Sequence, residues 1–154
     1  MIYPSADWQN VEPLLCCEVT MFLLDTNVVS ELRKPRPHGA IVEWLESVAD
    51  AEPHLCAVTL GEIQAGIEIT CEQDAARATA IEAWTDQVEA TYKILSMNIA
   101  TSAMSKKLVH RQSDTVYEDA MIAAYALVHK FTVVTRNTRD FECFHVPLFN
   151  PCGK

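Results

Sequence analysis

The 154-residue sequence has six cysteines but no CxxC pair, and five histidines but no HxxxH spacing. A zinc site therefore has little to stand on. Long apolar runs are also missing: nothing approaches the roughly 18 residues that a membrane-spanning helix needs. Residues 1–20 hold Asp7, Glu12 and Glu18, no Lys or Arg, and only short apolar runs. That pattern excludes a standard secretory signal, so the cysteines read as reduced thiols of a cytoplasmic protein. Nor is there a basic balance. Twelve Lys and Arg face 21 Asp and Glu, for a formal net charge of −9. Proteins that bind nucleic acid by counterion release ordinarily carry the opposite sign, so contact with RNA or DNA would need bound cations or a local basic patch. Internal repeats and low-complexity linkers are absent.

What remains is one domain's worth of chain, 49% hydrophobic, in which short apolar runs alternate with helical patterns. Phe22-Leu23-Leu24 is a strand, and Asn27 to Leu32 forms one or two helical turns stopped by the prolines of KPRPHG. Ile41, Val42, Leu45, Val48 and Ala49 recur at helical spacing over 39–50. Leu55 to Val58 is a second strand, followed by a helix from Thr59 to about Ile69. A polar-alanine helix covers 72–90, with Trp84 on its apolar face. Tyr92 to Leu95 is a third strand and 98–110 a further helix. The helix from Thr115 to Lys130 leads into a fourth strand at Phe131 to Val134, and Val146 to Phe149 is a weak fifth. Such alternation predicts an α/β domain around a mainly parallel sheet.

In sheets of this kind the ligand crevice lies outside the carboxyl ends of the strands. Three acids fall at or near those ends: Asp25 after strand one, Glu62 in the helix after strand two, and Asp140 in TRNTRDF after strand four. A fourth, Asp119, opens the helix leading into strand four. Structural explanations exist for most. Asp25 can cap the following turn. Thr59 and Glu62 fit a capping box, as do Thr115 and Glu118, and Asp140 can be an ordinary loop acid. Asp119 resists such an explanation, because its helical neighbours Val116, Ile122 and Ala123 are apolar and no Lys or Arg lies at pairing distance along the helix. Gathered together, these carboxylates would raise one another's pKa, and a hard divalent cation such as Mg²⁺ or Mn²⁺ removes that penalty. Such a site can activate water and stabilise charge on a phosphodiester, and the metal lets an acidic protein approach a polyanion.

Five segments in order, FLLDTNVVSE, VTLGEIQAGI, EDAMIAAYAL, VVTRNTRDF and PLFNP, resemble the successive motifs of PIN-domain proteins. Among these they are most similar to VapC-type toxins of type II toxin–antitoxin systems, the FitB-like branch included. The resemblance spans about Met21 to Pro151. It implies a PIN-like α/β/α sandwich with a central parallel sheet of about five strands. The implied activity is that of a Mg²⁺- or Mn²⁺-dependent endoribonuclease acting as a homodimer on RNA, tRNA or rRNA in related toxins, and leaving a 5′-phosphate and a 3′-hydroxyl. Its implied partner is a cognate VapB- or FitA-type antitoxin. By the same resemblance Asp25, Glu62 and Asp119 are metal ligands and, with Asp140, the catalytic set. Many members carry an acid directly after TR, where this chain has Asn137, so either Asn137 or Asp140 fills the fourth place. Thr26, Asn27, Thr135 and Asn137 are expected to position water and carboxylates. Arg33, Lys34, Arg36, Arg136 and Arg139 are candidate phosphate contacts, with solvated surface as the alternative for each. Family members commonly begin just before the first acid, so residues 1–20 are expected to be an extension upstream of a true start at Met21, with the PIN domain at 21–154.

Other readings remain open at this point. One is an RNA-processing nuclease of the same fold without a toxin role. Another is a decayed module that only binds a partner. An aspartyl-nucleophile phosphatase would want a second Asp two residues after Asp25, where the chain has Asn27. Trp44 and Trp84, at helical spacing, read as core or dimer-interface residues rather than base-stacking platforms.

Overall fold

A computed structural model describes residues 19–50, 52–110 and 112–153. Phe22–Leu24 forms β1 and Thr26–Leu32 α1, followed by α2 (Gly39–Ser47), β2 (Pro53–Cys56), α3 (Ala57–Gln73) and α4 (Ala75–Thr91). Then come β3 (Lys93–Leu95), α5 (Ile99–Val109), α6 (Tyr117–His129), β4 (Thr132–Val134) and β5 (Leu148–Phe149). Short 3-10 segments precede α6 at Asp114–Val116 and follow β4 at Thr138–Phe144.

The five strands form one sheet in the order β3-β2-β1-β4-β5, and every pairing is parallel. Successive strand residues face opposite ways, which divides the core in two. Leu23, Cys56 and Val133 pack beneath α6 with Ile122, Tyr125 and Phe141. Leu24, Leu55 and Val134 meet Val28, Ile41, Ile63 and Ile81 on the other side. The result is the expected α/β/α sandwich. Each fully buried Leu, Ile or Val contributes about 1.5–3 kcal/mol through burial, which is why strands of only two to four residues can hold the sheet. Trp44 belongs to this core: its ring meets Phe22 edge-on at 5.1 Å and tilts against Phe149 at 5.4 Å.

The strand order places the site. β1 is central, the chain builds outward through β2 and β3, and then returns to the other side of β1 with β4. The order therefore switches between β1 and β4, where a crevice opens at their carboxyl ends.

Several boundaries differ from those expected from the sequence. β2 occupies Pro53–Cys56 rather than 55–58, because Pro53 and His54 extend the buried strand and α3 has already begun at Ala57. That helix runs on to Gln73, and the helix expected over 72–90 starts only after Asp74, whose side chain accepts from the Arg77 N–H at 3.0 Å. The last long helix begins at Tyr117 rather than Thr115. It ends with Lys130 in the left-handed region (φ 59°), whose N–H donates to the Ala126 carbonyl. The expected extension over residues 1–20 lies, apart from its last two residues, outside those described.

Candidate active site

Asp25 follows β1 directly, and its own N–H donates to the Val134 carbonyl of β4 at 2.9 Å. Asp25 is 5% exposed, and both of its carboxylate oxygens accept hydrogen bonds. One oxygen accepts from the Thr26 N–H at 2.7 Å, so the capping role expected of Asp25 is real. The other oxygen accepts from the Asn27 amide and the Thr135 hydroxyl, both at 2.7 Å. Asn27 Nδ2 also reaches Thr135 Oγ1 at 3.1 Å, and its Oδ1 accepts from the Arg136 N–H at 3.2 Å. The Asn137 N–H closes the network on Thr135 Oγ1 at 3.0 Å. DTN after β1 and TRN after β4 are thus two halves of one cradle, separated by some 110 residues of chain. Burial pushes the Asp25 carboxyl up; the Thr135 and Thr26 hydrogen bonds oppose that rise, and the charge of Asp140 adds to it.

Glu62 is not a cap. Because α3 starts at Ala57, Thr59 lies inside the helix, is fully buried, and sets its hydroxyl 3.6 Å from the Cys56 thiol. That leaves the Glu62 carboxylate to accept a hydrogen bond from the Thr26 hydroxyl. Its pKa is raised by burial first and by the charges of Asp25 and Glu118, with the Thr26 bond opposing. The second expected capping box also fails to form: Thr115 pairs with Ser113 at 2.8 Å, and α6 has no side-chain cap. Glu118 is therefore exposed and caps nothing, and its charge acts on Glu62 and Asp119. Asp140, exposed in the 3-10 segment, accepts a hydrogen bond from the Asn137 amide, so the two candidates for the fourth place are joined to each other.

Asp119, half-buried at the start of α6, feels them all. Its carboxyl is pushed up to about 7, by burial first and then by Asp25, Asp140, Glu62 and Glu118 in that order. Among the described residues the ion pairs all go to Glu31, so no cationic side chain pairs with any member of this cluster. Carboxylate and hydroxyl oxygens around a concentration of uncompensated negative charge suit a hard divalent cation. The arrangement is open, however. Among the described residues no three His, Cys, Asp or Glu side chains lie close enough to grip one ion between them. The expected trio Asp25, Glu62 and Asp119 shares a neighbourhood, since Asp25 and Glu62 both act on the Asp119 carboxyl, but it does not form a three-carboxylate cage.

The pattern of motifs now has a match. The PIN domain family aligns with residues 22–144. This chain belongs to the PIN-domain family. Plasmid stability protein StbB of Pseudomonas syringae pv. tomato is 34% identical over 138 residues, covering 85% of this chain and 98% of that protein. Toxin FitB of Neisseria gonorrhoeae is 30% identical with the same coverage. VapC ribonuclease Y4jK of Sinorhizobium fredii is 29% identical over 143 residues, with 85% and 97% covered. Among solved structures, FitAcB from Neisseria gonorrhoeae superposes with a TM-score of 0.74 at 29% identity, covering 85% of this chain and 98% of that one.

The acid that closes the FLLDTNVVSE motif has a role that the sequence reading does not assign. Glu31, 6% exposed, binds Lys34 at 2.6 Å and Arg136 at 2.8 Å, tying α1 to the loop after β4. Its partners keep 57% and 41% of their side chains exposed, so the bridge is shallow. The Lys34 hydrogen bond, followed by the Lys34 and Arg136 charges, holds its carboxyl below the usual range against the opposing effect of burial. A signal exists in the sequence: Glu31 shares a helical face with Asn27 and Val28, an acid on a buried stripe just as Asp119 is. Lys34 and Arg136 are thereby removed from the free cations expected at phosphates, whereas Arg33, Arg36 and Arg139 make no ion pair among the described residues.

Proposed function

We propose that the chain is a divalent-metal-dependent endoribonuclease, the toxin of a toxin–antitoxin pair, restrained by a cognate antitoxin of the VapB or FitA kind. The observation that carries the metal-dependent part is the cluster of uncompensated carboxylates. Burial first, and then the charges of Asp25, Asp140, Glu62 and Glu118, push Asp119 up to about 7, and a hard cation offsets the part that the charges contribute. The nuclease and toxin parts follow from family membership together with relatives named VapC ribonuclease and toxin FitB.

Asp25 and Asp119 would hold Mg²⁺ or Mn²⁺, with Glu62 close by, and the ion would supply an acidified water and charge stabilisation at a phosphodiester. The protein's own part is preorganisation. Thr26, Asn27 and Thr135 fix both Asp25 oxygens, so this carboxylate needs no rearrangement when a ligand arrives. Thr26 aims Glu62 into the crevice, where its raised pKa suits it to taking a proton from water. Asn137 holds Asp140 at the rim. The net reaction is hydrolysis of a P–O bond: water's oxygen goes to phosphorus, and the departing ribose oxygen takes a proton.

The test is cleavage of total tRNA and rRNA by the purified full chain, beside Asp119→Asn, with Mg²⁺, Mn²⁺ or EDTA. Wild-type cleavage abolished by either the substitution or the chelator is the expected result. Cleavage that persists in EDTA refutes the metal-dependent reading.

A further inference from the structure

Two grooves meet at Glu62 and Gly66 of α3, and they differ in charge. One, about 530 Å³, runs between α3 and α6 past Val58, Ile69 and Met121, with Glu62 and Glu118 as its charged residues. It is apolar and acidic, and repels a polyanion. The other begins as a cavity of about 190 Å³ that includes Thr26 and Glu62 of the site itself, together with Arg33, Ile81 and Trp84. Arg33, Ile81 and Trp84 also line a neighbouring cavity of about 400 Å³ that extends to Pro35, Arg77 and Ala80. The two are therefore one groove leading from the carboxylates outward between α1 and α4.

On a chain of net charge −9, the charges around this groove are sorted. Arg77, Ile81 and Trp84 fall at i, i+4 and i+7, one face of α4, while the acids Glu82, Asp86 and Glu89 lie roughly 100–180° around the helix. On α3, Glu62, Gly66 and Thr70 share the groove face, and Glu68 and Glu72 point elsewhere by the same periodicity. Arg33 and Arg77 are exposed and form no ion pair among the described residues, whereas Lys34 and Arg136 are held by Glu31. Two free guanidiniums thus flank a half-buried indole along a path that reaches the acids.

Resting on the nuclease reading above, we propose that this groove is the track on which single-stranded RNA approaches the carboxylates, with Arg33 and Arg77 contacting phosphates and Trp84 stacking a base. Guanidinium forks suit phosphate oxygens, and an aromatic face between them accepts any base without reading its sequence. A duplex has no unstacked base to offer Trp84, so the track selects loops and single strands. The buried side of Trp84 serves the core, as its helical spacing implies, and its open side serves the track.

The probe is a fluorescein-labelled 12-nucleotide mixed-sequence RNA, its binding followed by anisotropy with Mg²⁺ across a KCl series. Full-length Asp119→Asn protein is the background throughout, which suppresses cleavage. Arg33→Gln and Arg77→Gln should each weaken binding about three- to tenfold. Each should also lower the slope of log Kd against log salt by about 0.7, the value for one lost phosphate contact on a single strand. Lys93→Gln, on β3 at the sheet edge, should change neither. Trp84 fluorescence in a Trp8→Phe, Trp44→Phe background should be quenched by the RNA; an unquenched Trp84 overturns the stacking role. RNA binding by the background protein that is indifferent to both arginines overturns the track while leaving the nuclease reading standing. Loss of affinity for the antitoxin in their place would hand the groove to the partner protein. No RNA binding by the background protein, together with no cleavage by wild type, overturns the nuclease reading and the track with it.

Discussion

Replacing Asp119 by Asn should stabilise the metal-free protein, and only at neutral and alkaline pH. The folded protein raises the Asp119 carboxyl from 3.8 to about 7. A group raised in this way favours folding while it stays protonated, and that contribution is lost as pH climbs from the unfolded value through the folded one. A rise of that size would correspond to about 4 kcal/mol if fully expressed. Asp119 is only half-buried, and solvent screening reduces this to about 1–2 kcal/mol. Asn keeps the shape of the protonated acid and never ionises, so its advantage should be small at pH 4.5 and complete above pH 8. For a chain of this size that is a rise in melting temperature of about 3–6 °C. Thermal melts of wild type and variant in EDTA from pH 4.5 to 8.5 measure it. Saturating Mg²⁺ should then raise the wild-type melting temperature more than the variant's, because a cation bound only by the folded state stabilises by mass action. Melting temperatures that differ by a constant amount across the pH range, or a variant less stable at pH 8, would refute the claim that burial and the neighbouring carboxylates together raise the Asp119 carboxyl.

Further expectations concern the cradle and the scaffold. Thr135→Val removes the hydroxyl that donates to Asp25 and accepts from two N–H groups at a fully buried position, and should cost about 2–3 kcal/mol in urea unfolding; Thr135→Ser should restore most of it. Glu31→Gln releases Arg136 and Lys34, and should speed amide hydrogen exchange at Arg136 and Asn137 while α6 exchange stays as in wild type; equal exchange in the loop would show that the bridge holds nothing. Lys130→Gly should stabilise by about 1 kcal/mol, because glycine adopts the left-handed cap at φ 59° without steric cost, and a lowered melting temperature would contradict that.

Much of this architecture is legible in the sequence because short β runs and helical stripes carry their own periodicity. Asp25 is readable as a candidate acid because an apolar strand stops at it, and Asp119 because its helical neighbours are apolar. Glu62 and Glu118 are harder to read. Both match the S/T-x-x-E pattern, which presupposes the Thr as N-cap, whereas the N-cap of α3 is Cys56, three residues earlier, and that of α6 is Val116, one residue later. Helix starts are decided by where the neighbouring strand ends and what the sheet buries, and a four-residue pattern does not contain that information. The sorting of the cations is not legible either. Lys34 lies three residues from Glu31, but Arg136 is 105 positions away, and only the adjacency of β1 and β4 brings it to the same carboxylate.

That adjacency also sets the order of events during synthesis. Asp25 emerges early from the ribosome, yet the hydroxyl that holds its carboxylate from across the sheet, and the strand that fixes its backbone, arrive only with Val134 and Thr135. A nascent chain therefore carries its first acid, its long helices and most of its core residues without the cradle that makes them a site. Long-range closure of this kind is slow compared with helix formation. A cradle that depends on Thr135 leaves the first acid without its site until that residue has been made.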